Sequence, residues 1–62
     1  MVGKKLRALR EDRDLTRVQL AVRAGVAPET IEQIETVEGR EPSLETLRRL
    51  ARALGVQPAA LI

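Results

Sequence analysis

Glu29, Glu32, Glu35 and Glu38 recur at three-residue intervals, Gln33 stands among them, and no Lys or Arg interrupts the stretch from Val26 to Gly39. Paired carboxylates can serve as general acid and base, or can hold a metal ion. The commonest general base and metal ligand, His, is absent from the chain, as is Cys. At this spacing Glu29, Glu32 and Glu35 make a solvated helix face, not a catalytic dyad. The Gln33 amide donates and accepts at once, which is the chemistry of recognition. There is also no Gly-rich phosphate loop, no disulfide framework and no zinc-finger spacing. An enzyme is not expected, nor is a metal or cofactor.

The cations flank this acidic stretch. Residues 1–25 carry a net +4 through Lys4, Lys5, Arg7, Arg10, Arg13, Arg17 and Arg23 against Glu11, Asp12 and Asp14, and residues 26–39 carry −4. Residues 40–62 return to +2 through Arg40, Arg48, Arg49 and Arg52 against Glu41 and Glu45. A basic N-terminal third could meet a polyanion such as DNA, but helix faces of mixed sign would look the same. Charge alone does not choose between them.

The elements that must position these groups come from 62 residues, 44% apolar and without any aromatic side chain. That length fits one domain, residues 1–62, which buries about 60% of its unfolded surface. A core of this size should supply only about 3–5 kcal/mol of net stability. Asn is absent and Met occurs only at position 1, a composition of the kind heat-stable proteins favour. No apolar run approaches the roughly 18 residues of a membrane span, and the start does not read as a signal peptide. A cytoplasmic location is expected.

Every segment has helical periodicity. The first helix is expected from about Gly3 to Arg13, with Val2, Leu6, Ala8 and Leu9 on its apolar side. Thr16 opens a second helix through a capping box with Gln19, and Gly25 ends it in the left-handed conformation. Pro28 suits the first position of a third helix, Glu29 favours its positive end, and Ala27 is a poor cap. Ile31 and Ile34 face inward. After a loop with Gly39, Arg40 and Pro42, Ser43 caps a fourth helix whose stripe is Leu44, Leu47, Leu50, Ala51 and Leu54, ended by Gly55. Pro58 begins a fifth turn or helix running to Ile62. The sum is a compact five-helix, all-α domain.

From Arg17 to Thr36 the chain resembles the helix-turn-helix of the phage-repressor (Cro/cI, or Xre-type) family. Leu20-Ala21, Gly25, Val26, Ile31 and Ile34 carry that resemblance, because two short helices crossing steeply need a small residue at the crossing and a turn that admits positive φ. It extends to Leu6-Arg7-Ala8-Leu9-Arg10-Glu11 and to Pro42-Ser43-Leu44-Glu45-Thr46-Leu47, with Leu50-Ala51 and Ala53-Leu54-Gly55-Val56 following. The resemblance implies a lambda-repressor-like DNA-binding domain with a central helix-turn-helix and its second helix in the major groove. Base edges would then be approached by Ala27, Pro28, Glu29, Thr30 and Gln33, with Gln33 suited to adenine. Phosphates would be met by Arg17 and Arg40, and Arg10 would pair with Glu35 to orient the reading helix. The chain differs from the family in holding Val37 where Gly is usual and Ala27 where Ser or Thr is usual at the cap.

Each residue also has a plainer reading. Gln33 and Arg17 could be ordinary exposed side chains, and Thr30 could only solvate a helix start. The function implied is that of a transcriptional regulator, a repressor in the first instance, with no small-molecule effector evident. It would act as a homodimer on a palindromic double-stranded operator. Val56, Leu61 and Ile62 are the candidate dimer surface, unless the last two fold back onto the fourth helix. The rival readings are a protein-interaction module on the same scaffold, antitoxin-like or regulator-binding, and a bare structural dimer.

Overall fold

A computed structural model describes residues 2–37 and 40–62, so the expected turn glycine Gly39 and the carboxylate Glu38 lie outside the described residues. The elements are α1 (Val2–Asp12), α2 (Arg17–Ala24), α3 (Pro28–Thr36), α4 (Leu44–Leu54) and a 3-10 helix (Pro58–Leu61). Among the described residues every regular element is helical. The expected fifth helix is thus a single tight turn of four residues. Such a short piece is the usual context for 3-10 geometry.

Three of the four α-helices stop in the same way. Asp14, Gly25 and Gly55 take φ values of 55°, 70° and 71°. The next residue donates its amide back across the last turn: Leu15 to the Arg10 carbonyl at 3.1 Å, Val26 to Ala21 at 3.1 Å and Val56 to Ala51 at 3.0 Å. These are the six-to-one bonds of the Schellman motif. Glycine takes the left-handed conformation freely, and aspartate is among the few other residues that tolerate it. In each case the residue after the turn is apolar and packs inward, Leu15 as core and Val26 and Val56 against it. Each terminator therefore also aims the chain back at the core.

That core has Leu6, Leu20, Ile31, Leu50 and Leu61 at its centre, all fully buried. α2 packs on both α3 and α4, α1 packs on α3, and the 3-10 helix closes the ring between α4 and α1. Arg13 strengthens the closure by donating from Nε to the Leu54 carbonyl at 2.8 Å, a cation at the C-terminal end of α4. Lys5 Nζ similarly donates to the Ile62 carbonyl.

The packing corrects three expectations. Ala8 is exposed, because it lies about 200° round the helix from Leu6, and the buried position on that turn is Arg10. Leu44 lies on the apolar side of α4 but in its first turn, short of the core, and is 60% exposed. Leu61 is not a dimer surface: it is wholly buried, and Val56 is half-buried against the same cluster. Of the three candidate contact residues only Ile62 points outward, at 66% exposure.

Gly3 sets how closely α1 and α3 approach. A Cβ at this position would run into the backbone carbonyl of Ile34, which has no side-chain freedom to yield. Gly3→Ala should therefore destabilise the domain by about 1–3 kcal/mol through overpacking. For a chain of this size each kcal/mol lowers Tm by roughly 4–8 °C in thermal denaturation followed by circular dichroism. An unchanged Tm would place the two helices further apart than described.

Candidate nucleic-acid interface

The helix pair α2–α3 is fixed at both ends of its first member. The Thr16 Oγ1 accepts from the Gln19 amide at 3.0 Å and the Thr16 amide donates to Gln19 Oε1 at 2.9 Å, so the expected capping box is present. At the other end Gly25 reverses the chain, and Ala27 leads in extended conformation to Pro28 at the first turn of α3. Ala27 makes no side-chain cap, as its methyl group requires.

On α3 the two isoleucines turn inward while Pro28, Glu29, Glu32, Gln33 and Thr36 stay exposed, with Thr30 half-buried at the edge. Glu29, Glu32, Gln33 and Thr36 follow helical spacing along one outward face. Thr36 steadies the far end by donating from Oγ1 to the Glu32 carbonyl at 2.7 Å. The expected base-contact residues Ala27, Pro28, Glu29 and Gln33 are thus brought to one exposed surface, with Thr30 beside it. The face is acidic through Glu29 and Glu32, and Arg40 reaches it from the following loop by donating from Nη2 to Gln33 Oε1 at 2.8 Å.

Behind that face lies a buried charge. The Glu35 side chain has no solvent exposure, so it does not share the solvated face expected of Glu29, Glu32 and Glu35 together. Arg10 grips it with two parallel bonds, Nε to Oε2 at 2.8 Å and Nη2 to Oε1 at 3.0 Å. A third bond runs from Arg10 Nη1 to the Leu15 carbonyl at 2.7 Å. The hydrogen bonds to Glu35 raise the Arg10 guanidinium above its already high ordinary pKa, against the opposing effect of burial. The Arg10–Glu35 pair is as expected. Arg17 adds to it, donating from Nε to Glu35 Oε1 at 3.1 Å, with its side chain about one-third exposed. Periodicity gives no sign of this contact, since eighteen residues separate the partners. The Glu35 carboxylate thereby joins α1, α2 and α3, and Arg10 ties in the turn after α1. Among the described residues no group of His, Cys, Asp or Glu is placed to hold a metal ion.

Residues 2–61 match the family described as helix-turn-helix domain. The chain belongs to the helix-turn-helix family of phage-repressor-like domains. It is 41% identical over 61 residues to the immunity repressor protein of Bacillus phage phi105, a match covering 98% of this chain and 42% of that protein. It is 44% identical over 54 residues to the HTH-type transcriptional repressor RghR of Bacillus subtilis (strain 168), covering 87% of this chain and 40% of that one. The chain thus spans about two fifths of the length of these relatives.

Among solved structures it is similar to the restriction-modification controller protein C.AhdI from Aeromonas hydrophila. The TM-score is 0.90 at 31% identity, over 98% of this chain and 91% of that one. It is also similar to SinR, described as the master regulator for biofilm formation and solved in complex with DNA. There the TM-score is 0.91 at 28% identity, over 98% and 97% of the two chains.

In this helix-turn-helix domain the orientation of α3 depends on Arg10. Arg10→Ala leaves the Glu35 carboxylate buried with only the single Arg17 bond, and breaking such a pair costs roughly 3–5 kcal/mol. Arg10→Lys should recover little of it, because an ammonium cannot reproduce the planar fork. Arg17→Ala should cost clearly less, since the two-bond grip remains. Thermal denaturation of the three variants ranks them, and an Arg10→Ala domain as stable as its parent would refute the structural role.

Proposed function

We propose that this helix-turn-helix domain is the DNA-binding part of a transcriptional regulator, acting as a repressor, and that α3 enters the major groove of double-stranded DNA. The observation that carries the proposal is the outward α3 face of Glu29, Glu32, Gln33 and Thr36, backed by a buried Glu35 that is paired with Arg10 and Arg17. The names of its relatives as repressors support the same reading, as does its likeness to SinR bound to DNA. Binding is the activity, and the proposal needs neither a catalytic group nor a cofactor. No helix among the described residues is long and apolar enough to cross a membrane. We place the protein in the cytoplasm, on the nucleoid.

Gln33, with Glu29, Thr30 and the Ala27-Pro28 lead-in, approaches base edges. Arg17 meets a phosphate: its Nε is held by Glu35, which leaves the end of the guanidinium directed by a fixed carboxylate. The working unit is a homodimer on a palindromic operator. One short helix reads too few base pairs to select a site, whereas two copies read half-sites about one helical turn apart. With Leu61 in the core, the contact patch reduces to Ile62 and the rim of Val56, far below a standard interface. Dimerisation should therefore depend on DNA. The acidic α3 face also suits a protein partner, and salt dependence separates the two, because phosphate contacts release counterions.

Three outcomes follow. Gln33→Ala should lose roughly 1–3 kcal/mol on the preferred site and relax preference at one base pair. Arg17→Ala should weaken binding to all sequences alike and flatten the plot of log affinity against log salt by about one unit. Sedimentation should find two protomers on a palindromic duplex and fewer without it, with Ile62→Asp reducing the doubly bound form. Affinity for DNA that ignores salt, or a partner protein captured by the Glu29–Glu32 face in its place, would remove the DNA reading.

A further inference from the structure

A glutamine that faces bases unassisted is matched to adenine. Its Nε2 amino group donates to N7 while its Oε1 accepts from the N6 amino group. In this chain the Gln33 oxygen is already engaged. Arg40 Nη2 lies 2.8 Å from it, and the amide of Arg40 is itself tied by a 3.0 Å bond to the Val37 carbonyl. A guanidinium carries donors only, so the amide atom it faces must be the oxygen and not the nitrogen. That chemistry fixes which way round the Gln33 amide sits. The amino group is turned away from Arg40, and one of the oxygen's two lone pairs is taken by a cation.

We infer that Gln33 and Arg40 act as one reading group in which donors outnumber acceptors, and that Arg40 thereby makes the domain select guanine at the position where Gln33 alone would select adenine. The inference rests on the proposed DNA reading and deepens it. What the pair can offer a base is the Nε2 hydrogens of Gln33, the remaining N–H groups of Arg40 and the one lone pair left on Oε1, which lies beside the cation. Guanine presents two acceptors, O6 and N7, on its major-groove edge, and these fit a pair of donors. Adenine presents one acceptor and one donor. Its amino group would have to share the Gln33 oxygen with the guanidinium, and a donor crowded against other donors and a positive charge bonds less well while keeping the cost of leaving water. The positive charge works in the same direction, because it lies against an electronegative edge. Arg40 is then a specificity-determining residue, where position in the loop alone suggested a phosphate contact.

Sequence selection from a random duplex library tests this with the 62-residue chain and the variants Gln33→Ala, Arg40→Ala and Arg40→Gln, each first checked for helical content. Both positions are exposed, so the fold should survive. The base pair read by Gln33 is the one at which Gln33→Ala loses preference. The parent should enrich guanine there. Arg40→Ala should shift the same position toward adenine, the guanine-to-adenine ratio falling by roughly tenfold, the lower part of the range for one two-bond base contact. A parent that enriches adenine at that position overturns the inference. So does an Arg40→Ala variant that keeps its base preference while losing affinity for every sequence and flattening the salt dependence, which would make Arg40 a phosphate contact. Enrichment of no sequence by the parent, with no salt-dependent binding, would instead remove the DNA reading and this inference with it.

Discussion

A carboxylate with no exposure to water has to be compensated on the spot, and Glu35 is compensated by two arginines from two other helices. Most of the architecture follows from that requirement. An unpaired buried charge would cost more than a domain of 62 residues can supply, so Arg10, Arg17 and Glu35 can only be satisfied with α1, α2 and α3 in one mutual arrangement. Packing alone would define that arrangement less sharply. The core holds Leu, Ile, Val and Ala and no aromatic ring, and aliphatic chains of similar volume repack against one another at little cost. The planar fork of Arg10 is directional where those contacts are not. Gly3 supplies the complementary constraint, since it lets α1 come close enough to α3 for the fork to reach.

What the sequence shows of this arrangement is its local part. The Thr16–Gln19 capping box, the turn at Gly25, Pro28 at the start of α3 and Ser43 at the start of α4 each depend on residues within four positions of one another, and each is where periodicity and side-chain chemistry put it. The Arg10–Glu35 bond spans 25 residues and was legible only through resemblance to a family. Arg17 on Glu35 and Arg40 on Gln33 were not legible at all, because both residues had a plausible partner outside the protein. Burial fails in the same way at the ends of elements. Leu44 and Leu61 are both large and apolar, yet one is exposed and the other wholly buried, according to which neighbouring element covers that turn.

The distribution of charge illustrates the limit of arithmetic. Seven cations in residues 1–25 suggest a surface for a polyanion, but Arg10 is consumed by Glu35 and Leu15, and Arg13 by the Leu54 and Leu9 carbonyls. Arg17 is half committed to Glu35. Much of the apparent basic third is therefore internal structure. The cations that remain beside α3 are few, and they are held: Arg17 by a carboxylate and Arg40 by an amide oxygen.

A DNA-binding surface built this way differs in kind from one that relies on charge density. Non-specific affinity comes almost wholly from counterion release at phosphates, so a face carrying Glu29 and Glu32 with few neighbouring cations gains little from random sequence. Discrimination depends on the difference between right and wrong sites, and a repulsion felt equally at both leaves that difference unchanged. The acidic carboxylates then do not oppose the proposed function. On that proposal they would repel the backbone of right and wrong sites alike, lowering affinity overall and leaving discrimination to the contacts proposed for Gln33 and Arg40. Such a surface would need a reading helix already held in place before binding, and the Glu35 carboxylate beneath α3 accepts three bonds from Arg10 and Arg17.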